Sequence, residues 1–188
     1  MGTRKADWRR LILAARAALP VEVRAQACAD LTEHLRGALA GARRVAGYAP
    51  VGTEPGAPGL LDALVGLGLS VLLPVARPDR VLDWSWYVGD LVPARYGLRE
   101  PPGARLGPDA LAEVDVVLAP GLAVDRHGVR LGKGGGYYDR ALSRVGAPPP
   151  VAVLLYDGEL IDGALPVQPH DVAVSAVVTP LLGWVSVG

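Results

Sequence analysis

The residues best suited to chemistry lie between Arg130 and Arg140, in Arg-Leu-Gly-Lys-Gly-Gly-Gly-Tyr-Tyr-Asp-Arg. Gly132, Gly134, Gly135 and Gly136 lack Cβ atoms, so backbone N–H groups there can close around an anion. Arg130 brings a planar fork of donors and Lys133 a mobile point charge, the two kinds of cation that hold phosphate. Tyr137 onward reads as a short helix whose first amides would add their dipole to the same anion. An apolar run ending at Leu118-Ala-Pro-Gly121 precedes the loop, so strand, anion loop and helix are expected in that order.

The pattern is not a Walker loop, because no Ser or Thr follows Lys133, and it fits the dinucleotide fingerprint only loosely. Read from the residues alone, a bare Gly-Gly-Gly could equally be a solvent-exposed turn. The basic entry and the aromatic, acidic exit favour the phosphate cradle.

The longer stretch Pro120-Gly-Leu-Ala-Val-Asp-x-x-Gly-x-Arg-Leu-Gly-x-Gly-Gly-Gly-Tyr-Tyr-Asp-Arg140 resembles the signature of the 5-formyltetrahydrofolate cyclo-ligase family. Lys5 and Arg9 near the N-terminus, Tyr48 with Glu54, Leu72-Leu-Pro74, Tyr96-Gly-x-x-Glu-Pro101 and Leu165-Pro-x-x-x-x-Asp171 continue the resemblance in order. It implies an enzyme that uses ATP and Mg2+ to turn 5-formyltetrahydrofolate into 5,10-methenyltetrahydrofolate, ADP and phosphate. A formamide oxygen leaves poorly; phosphorylating it gives an iminium phosphate that N10 of the folate can attack. Positioning and charge neutralisation then carry most of the catalysis, and no protein nucleophile is needed.

The resemblance implies a role for each residue. Lys5 and Arg9, Arg130, Leu131, Gly132, Lys133, Gly134, Gly135, Gly136, Tyr137 and Tyr138 would bind ATP, with Arg130 and Lys133 acting in catalysis. Arg9, Glu54 and Tyr137 would meet the folate, Glu54 as acceptor for the pterin's N–H groups. Asp139 and Asp171 would hold Mg2+, which takes one or two carboxylates and completes its octahedron with phosphate and water. Tyr96 is expected near the folate. Plainer readings stand beside these: a solvated face for Lys5 and Arg9, core packing for the tyrosines, a helix-start acid for Asp139, a turn residue for Asp171, an exposed acid for Glu54. His127 and His170 read as loop histidines. The chain departs from the family pattern at Val124, Lys133, Pro169 and Ser175, the last two adjoining Asp171. Two alternatives keep the same fold: a non-catalytic paralogue, or a sugar-phosphate-binding one.

To position these residues the chain must fold as α/β. Apolar spacing predicts helices over Lys5–Ala18 and on from Pro20 to Leu39, then Leu60–Leu67 and Tyr138–Val145. Short Val/Leu-rich runs at 45–49, 69–75, 114–119, 151–156 and 172–178 read as strands buried on both faces, and Leu82–Tyr87 as a more exposed strand. Alternating helix and strand imply one domain over 1–188, a mostly parallel sheet flanked by helices; the resemblance adds a fold like that of ribose-phosphate isomerase and CoA-transferases. Ligands in such sheets sit at strand carboxyl ends, where both Glu54 and the glycine loop fall.

Composition suits that reading. The 188 residues are 51% hydrophobic with no phenylalanine, enough for a sizeable core. With 19 basic and 19 acidic residues the formal net charge is zero, so neither nucleic acid nor an anionic membrane is an expected partner. Cys28 is the one cysteine, which rules out an internal disulfide. The N-terminus has no apolar signal core, so a cytoplasmic location is expected; a monomer binding small molecules is the expected state, although nothing in the residues fixes the oligomer.

Overall fold

The computed structural model describes residues 4–188, apart from the side chain of Tyr96, so the expectation for that tyrosine lies outside the described residues. Helices α1 (Lys5–Ala18) and α2 (Val21–Ala38) open the chain, broken at Pro20, and strand β1 (Arg44–Ala46) follows. Next come α3 (Leu60–Gly66), β2 (Ser70–Ala76), β3 (Leu82–Trp86), β4 (Val92–Pro93), β5 (Arg99–Glu100), β6 (Val116–Pro120), β7 (Ala123–Asp125) and β8 (Arg130–Leu131). The chain closes with α4 (Tyr137–Arg144), β9 (Val151–Leu154), β10 (Leu160–Ile161), β11 (Ala176–Thr179) and β12 (Gly183–Ser186).

Among the described residues, seven strands form the main sheet in the order β12-β11-β9-β6-β1-β2-β3. The run from β11 to β2 is parallel, while β3 and β12 join the two edges antiparallel. Successive residues of the central strands serve opposite faces, as a sheet covered on both sides requires. In β6, Val117 and Ala119 pack with Tyr138 and Leu142 of α4, whereas Leu118 packs with Leu31 and Leu35 of α2 and Leu64 of α3. A small third cluster joins Ile12 of α1 to Leu122, Ala123, Leu131 and Leu165.

The single-domain α/β reading therefore stands, with local corrections. The chain leaves the sheet at Ala46 rather than 49, and segment 172–175 is irregular, the strand starting only at Ala176. The strand with Trp84 is not exposed: Trp84 is 0% exposed and meets Tyr138 edge-on at 6.3 Å. Its cover is the 3₁₀ segment Pro108–Glu113, which the Asp83 carboxylate anchors by accepting from the Gly107 N–H at 2.7 Å.

Strand and glycine loop are not directly joined either, because the β7–β8 hairpin stands between them and pairs with β10 in a separate small sheet. Asp125 builds its turn, accepting N–H groups of His127, Val129 and Leu165 at 2.9, 3.0 and 2.9 Å. Gly128 closes it at φ +77°, with Val174 O only 2.5 Å from where a Cβ would sit. The Asp-x-x-Gly part of the motif is thus a turn and not a ligand.

Candidate active site

One cleft of about 270 Å³ opens at the carboxyl ends of β1, β2 and β6. Lys5, Arg9, Glu54, Arg130, Gly132, Lys133, Gly134, Gly135, Gly136, Tyr137, Tyr138, Asp139 and Asp171 all line it. Chain segments as distant as α1 and the 168–171 turn therefore converge as the parallel topology requires. Leu131 does not line the cleft: its side chain lies in the third cluster and its carbonyl accepts from Leu122 N–H at 2.7 Å.

The loop owes its shape to backbone only glycine supplies freely. Gly134 takes φ +107° and Gly136, the residue capping α4, takes φ +64°. Arg9 stacks against Gly134, and its Nε donates to Gly132 O at 2.8 Å. Arg140 grips the far side, donating to Gly135 O at 2.7 Å and to Arg80 O at 3.0 Å.

Every acid expected in the site is paired with a cation expected there. Lys133 Nζ lies 2.7 Å from Glu54 Oε1, and Glu54 Oε2 accepts from the Val51 N–H at 2.9 Å. Arg130, its side chain 4% exposed, donates to Asp139 Oδ1 at 2.8 Å and to Pro120 O at 3.2 Å. Its guanidinium also lies over the Tyr138 ring at 5.8 Å. Lys5 Nζ donates to Asp171 Oδ2 at 2.5 Å, and the Gln168 N–H to the same oxygen at 2.7 Å. Burial pushes the Asp171 carboxyl up, but these hydrogen bonds and the Lys5 charge outweigh it and hold the group below its ordinary value. Burial raises the Tyr138 phenol well above its usual range, so it stays protonated.

Among the described residues no three His, Cys, Asp or Glu side chains gather as a closed metal cage. That suits a hard cation held partly by phosphate, which needs only one or two carboxylates. Asp139 and Asp171 line one wall beside the loop, each with its Oδ2 or Oδ1 outside the hydrogen bonds named above, so the donor set fits Mg2+. The Arg130 Nε–H is buried without a hydrogen-bond partner among the described residues, a donor left over at the same wall. Ser175 is spent elsewhere, exchanging hydrogen bonds with Val151 N–H and C=O, each at 3.0 Å.

Sequence reasoning missed several lining residues. Tyr48 stands at the cleft floor, its hydroxyl donating to Pro55 O at 2.7 Å. Glu100 accepts from Ala76 N–H at 3.0 Å, and Arg99 lies at the rim. His170, read as a loop histidine, lines the cleft 3.9 Å from Asp171 Oδ1. His127 is on the surface outside it. Tyr48 and Glu100 stood inside the motif segments; His170 carried no signal of its own.

The family described as 5-formyltetrahydrofolate cyclo-ligase matches residues 1–180. The chain belongs to it. A cyclo-ligase of Mycolicibacterium smegmatis is 45% identical over 188 residues, covering 97% of this chain and 96% of its own. A 5,10-methenyltetrahydrofolate synthetase from Aquifex aeolicus superposes with TM-score 0.74 at 27% identity, over 94% of this chain and 90% of that one. One from Mycoplasma pneumoniae shares the fold with TM-score 0.74 at 20% identity, over 93% and 98%. The protein is thus an enzyme of the cyclo-ligase class, belonging to folate one-carbon chemistry. No described helix is long and apolar enough to cross a membrane.

Proposed function

We propose that this chain converts 5-formyltetrahydrofolate to 5,10-methenyltetrahydrofolate with ATP and Mg2+, releasing ADP and phosphate. The observation that carries the reading is that the glycine loop, the cations Lys5, Arg9, Arg130 and Lys133, and the carboxylate of Glu54 face one cleft. A site for phosphate alone has no use for Glu54 at that position, which speaks against a sugar-phosphate or non-catalytic paralogue.

In this reading Lys5 and Lys133 turn from Asp171 and Glu54, and Arg9 from the Gly132 carbonyl, to the ATP phosphates, and the loop N–H groups take the γ-phosphoryl oxygens. Arg130, fixed by Asp139 and Pro120 O, supplies positive charge from behind the loop, its Nε–H the spare donor. Glu54 accepts from the pterin's N–H edge, with Tyr137 and Tyr138 as aromatic walls. The formyl oxygen then attacks the γ-phosphorus: the bond to ADP breaks, the O–P bond forms, and the N5 lone pair becomes the C=N bond of an iminium phosphate. N10 adds to that carbon and loses its proton. The C–O bond breaks and phosphate departs, leaving the methenyl bridge. Mg2+, held through Asp139 and Asp171, would neutralise phosphate charge. A single domain over 1–188 acting as a cytoplasmic monomer suffices for this chemistry.

The test is to incubate protein, 5-formyltetrahydrofolate, ATP and Mg2+ and follow near-ultraviolet absorbance of the methenyl product. Product that needs both ATP and Mg2+ is expected; folded, ATP-binding protein without product overturns the reading.

A further inference from the structure

Residues Lys5, Arg9, Ile12 and Arg16 recur at helical spacing and so share one face of α1. The first two reach the cleft and Ile12 packs in the third cluster. Arg16 is 1% exposed and does not itself line the cleft. Its Nε and Nη2 donate to the two oxygens of Glu159 at 2.7 Å each, and Nη2 also donates to Gly121 O at 2.8 Å. Glu159 Oε2 in turn accepts from the Tyr156 N–H at 2.8 Å.

Stability does not account for this pair. Burying two charges costs about what their attraction returns, and apolar residues of similar size often serve as well or better. Desolvation indeed pushes the Glu159 carboxyl up despite Arg16 beside it. What a two-pronged guanidinium–carboxylate contact supplies is geometry, since it fixes rotation as well as distance.

The geometry it fixes is that of the site. Gly121 follows Pro120, and the two neighbouring carbonyls are held by two arginines: Gly121 O by Arg16 from α1, Pro120 O by Arg130 from the phosphate loop. The turn packs closely on the sheet, since a Cβ on Gly121 would lie 2.6 Å from Val153 Cγ1 of β9. From Arg16 to Arg9 the helix runs about 10 Å at 1.5 Å per residue, so a small tilt at Arg16 displaces Arg9 and Lys5 from the loop.

We propose that Arg16 and Glu159 are positioning residues for nucleotide binding, setting the register of α1 so that Lys5 and Arg9 meet the loop. The inference rests on the reading that the loop holds ATP phosphates.

The experiment compares wild type, Arg16→Met/Glu159→Met and Arg16→Lys by thermal melting, by calorimetric titration with a non-hydrolysable ATP analogue, and by KM for each substrate. The double apolar variant is expected to melt near wild type yet bind the analogue about ten- to a hundredfold more weakly, the scale of a roughly 1 Å misplacement. KM for 5-formyltetrahydrofolate rises less than the analogue affinity falls, because Glu54 and Tyr137 lie outside α1. Arg16→Lys keeps the charge but loses the fork, and shows the same split if the double variant fails to fold. Wild-type analogue affinity in a folded variant overturns the inference, leaving the pair a fold staple. Calorimetry keeps the two readings apart: wild-type protein that binds ATP without making methenyl product sinks the proposed reaction, while a selective loss of analogue affinity in the variants still upholds this inference.

Discussion

Lys133 Nζ sits 2.7 Å from Glu54 Oε1, linking the glycine loop to the carboxylate proposed to read the pterin. Each holds the other's expected partner position, so ligands must separate them. ATP drawing Lys133 away uncovers Glu54, and either ligand should therefore tighten the other. Lys133 is 54% exposed and Glu54 12%, so the pair is worth about 0.2–1 kcal/mol. The expected coupling is roughly 1.4- to 5-fold in affinity. Folate titrations with and without a non-hydrolysable ATP analogue measure it; Lys133→Met should abolish the difference, and persistence of it in that variant refutes the link.

Glu54→Gln keeps shape and removes the charge. A hydrogen bond to a charged acceptor is worth about 1.5–3 kcal/mol, so folate KM should rise about tenfold or more. Affinity for the ATP analogue should hold or improve, because Lys133 loses its competitor. Equal weakening of both ligands would mean that Glu54 shapes the cleft rather than reads the pterin.

Asp139 pairs with Arg130, and its proposed Mg2+ role needs a second readout to be told apart from that pairing. Asp139→Asn leaves Arg130, 4% exposed, without its counter-charge. Losing one partner of a buried pair costs about 3–5 kcal/mol; at the lower end, Tm should fall by about 6–12 °C for a chain this size. If Asp139 also holds Mg2+, activity of the folded variant should need more Mg2+ for half-saturation. A lower Tm with an unchanged Mg2+ profile would leave only the ion pair.

Where chemistry and geometry coincide in short range, the sequence was readable. The glycine loop, the four-residue spacing of Lys5 and Arg9, and the Val/Leu runs each carry their own local cause; the runs form the sheet, and the loop and the basic pair meet in one cleft at its carboxyl edge. Partners far apart in sequence were not readable: nothing local announces that Lys5 meets Asp171 or that Arg16 meets Glu159. Trp84 shows the same limit, since alternation around Ser85 looks half-exposed until Pro108–Glu113 folds over it. The β7–β8 hairpin hid because its two- and three-residue strands are too short for a period.

Gly128 separates the structural half of the motif from the chemical half. Gly128→Ala must adopt φ +77° and press its Cβ toward Val174 O; left-handed backbone alone costs about 1–2 kcal/mol. Tm should drop while KM for ATP stays within about twofold, since Gly128 lies outside the cleft. A selective rise in ATP KM at unchanged Tm would return the whole motif to ligand binding.

Asp171 ties acid sensitivity to the same site. Its carboxyl is held below its ordinary value, so over the window beneath about pH 4 the unfolded chain binds the proton more readily than the folded one. Stability from this group is therefore fully present above the ordinary carboxylate pKa and is lost as pH falls through the depressed one. Asp171→Asn should melt below wild type by a constant gap between pH 5 and 7 and converge with it below about pH 4. Melting curves at closely spaced pH values check the shape. A gap that persists undiminished at low pH would mean that Asp171 acts through its shape and backbone contact to Gln168, and not through its charge beside Lys5.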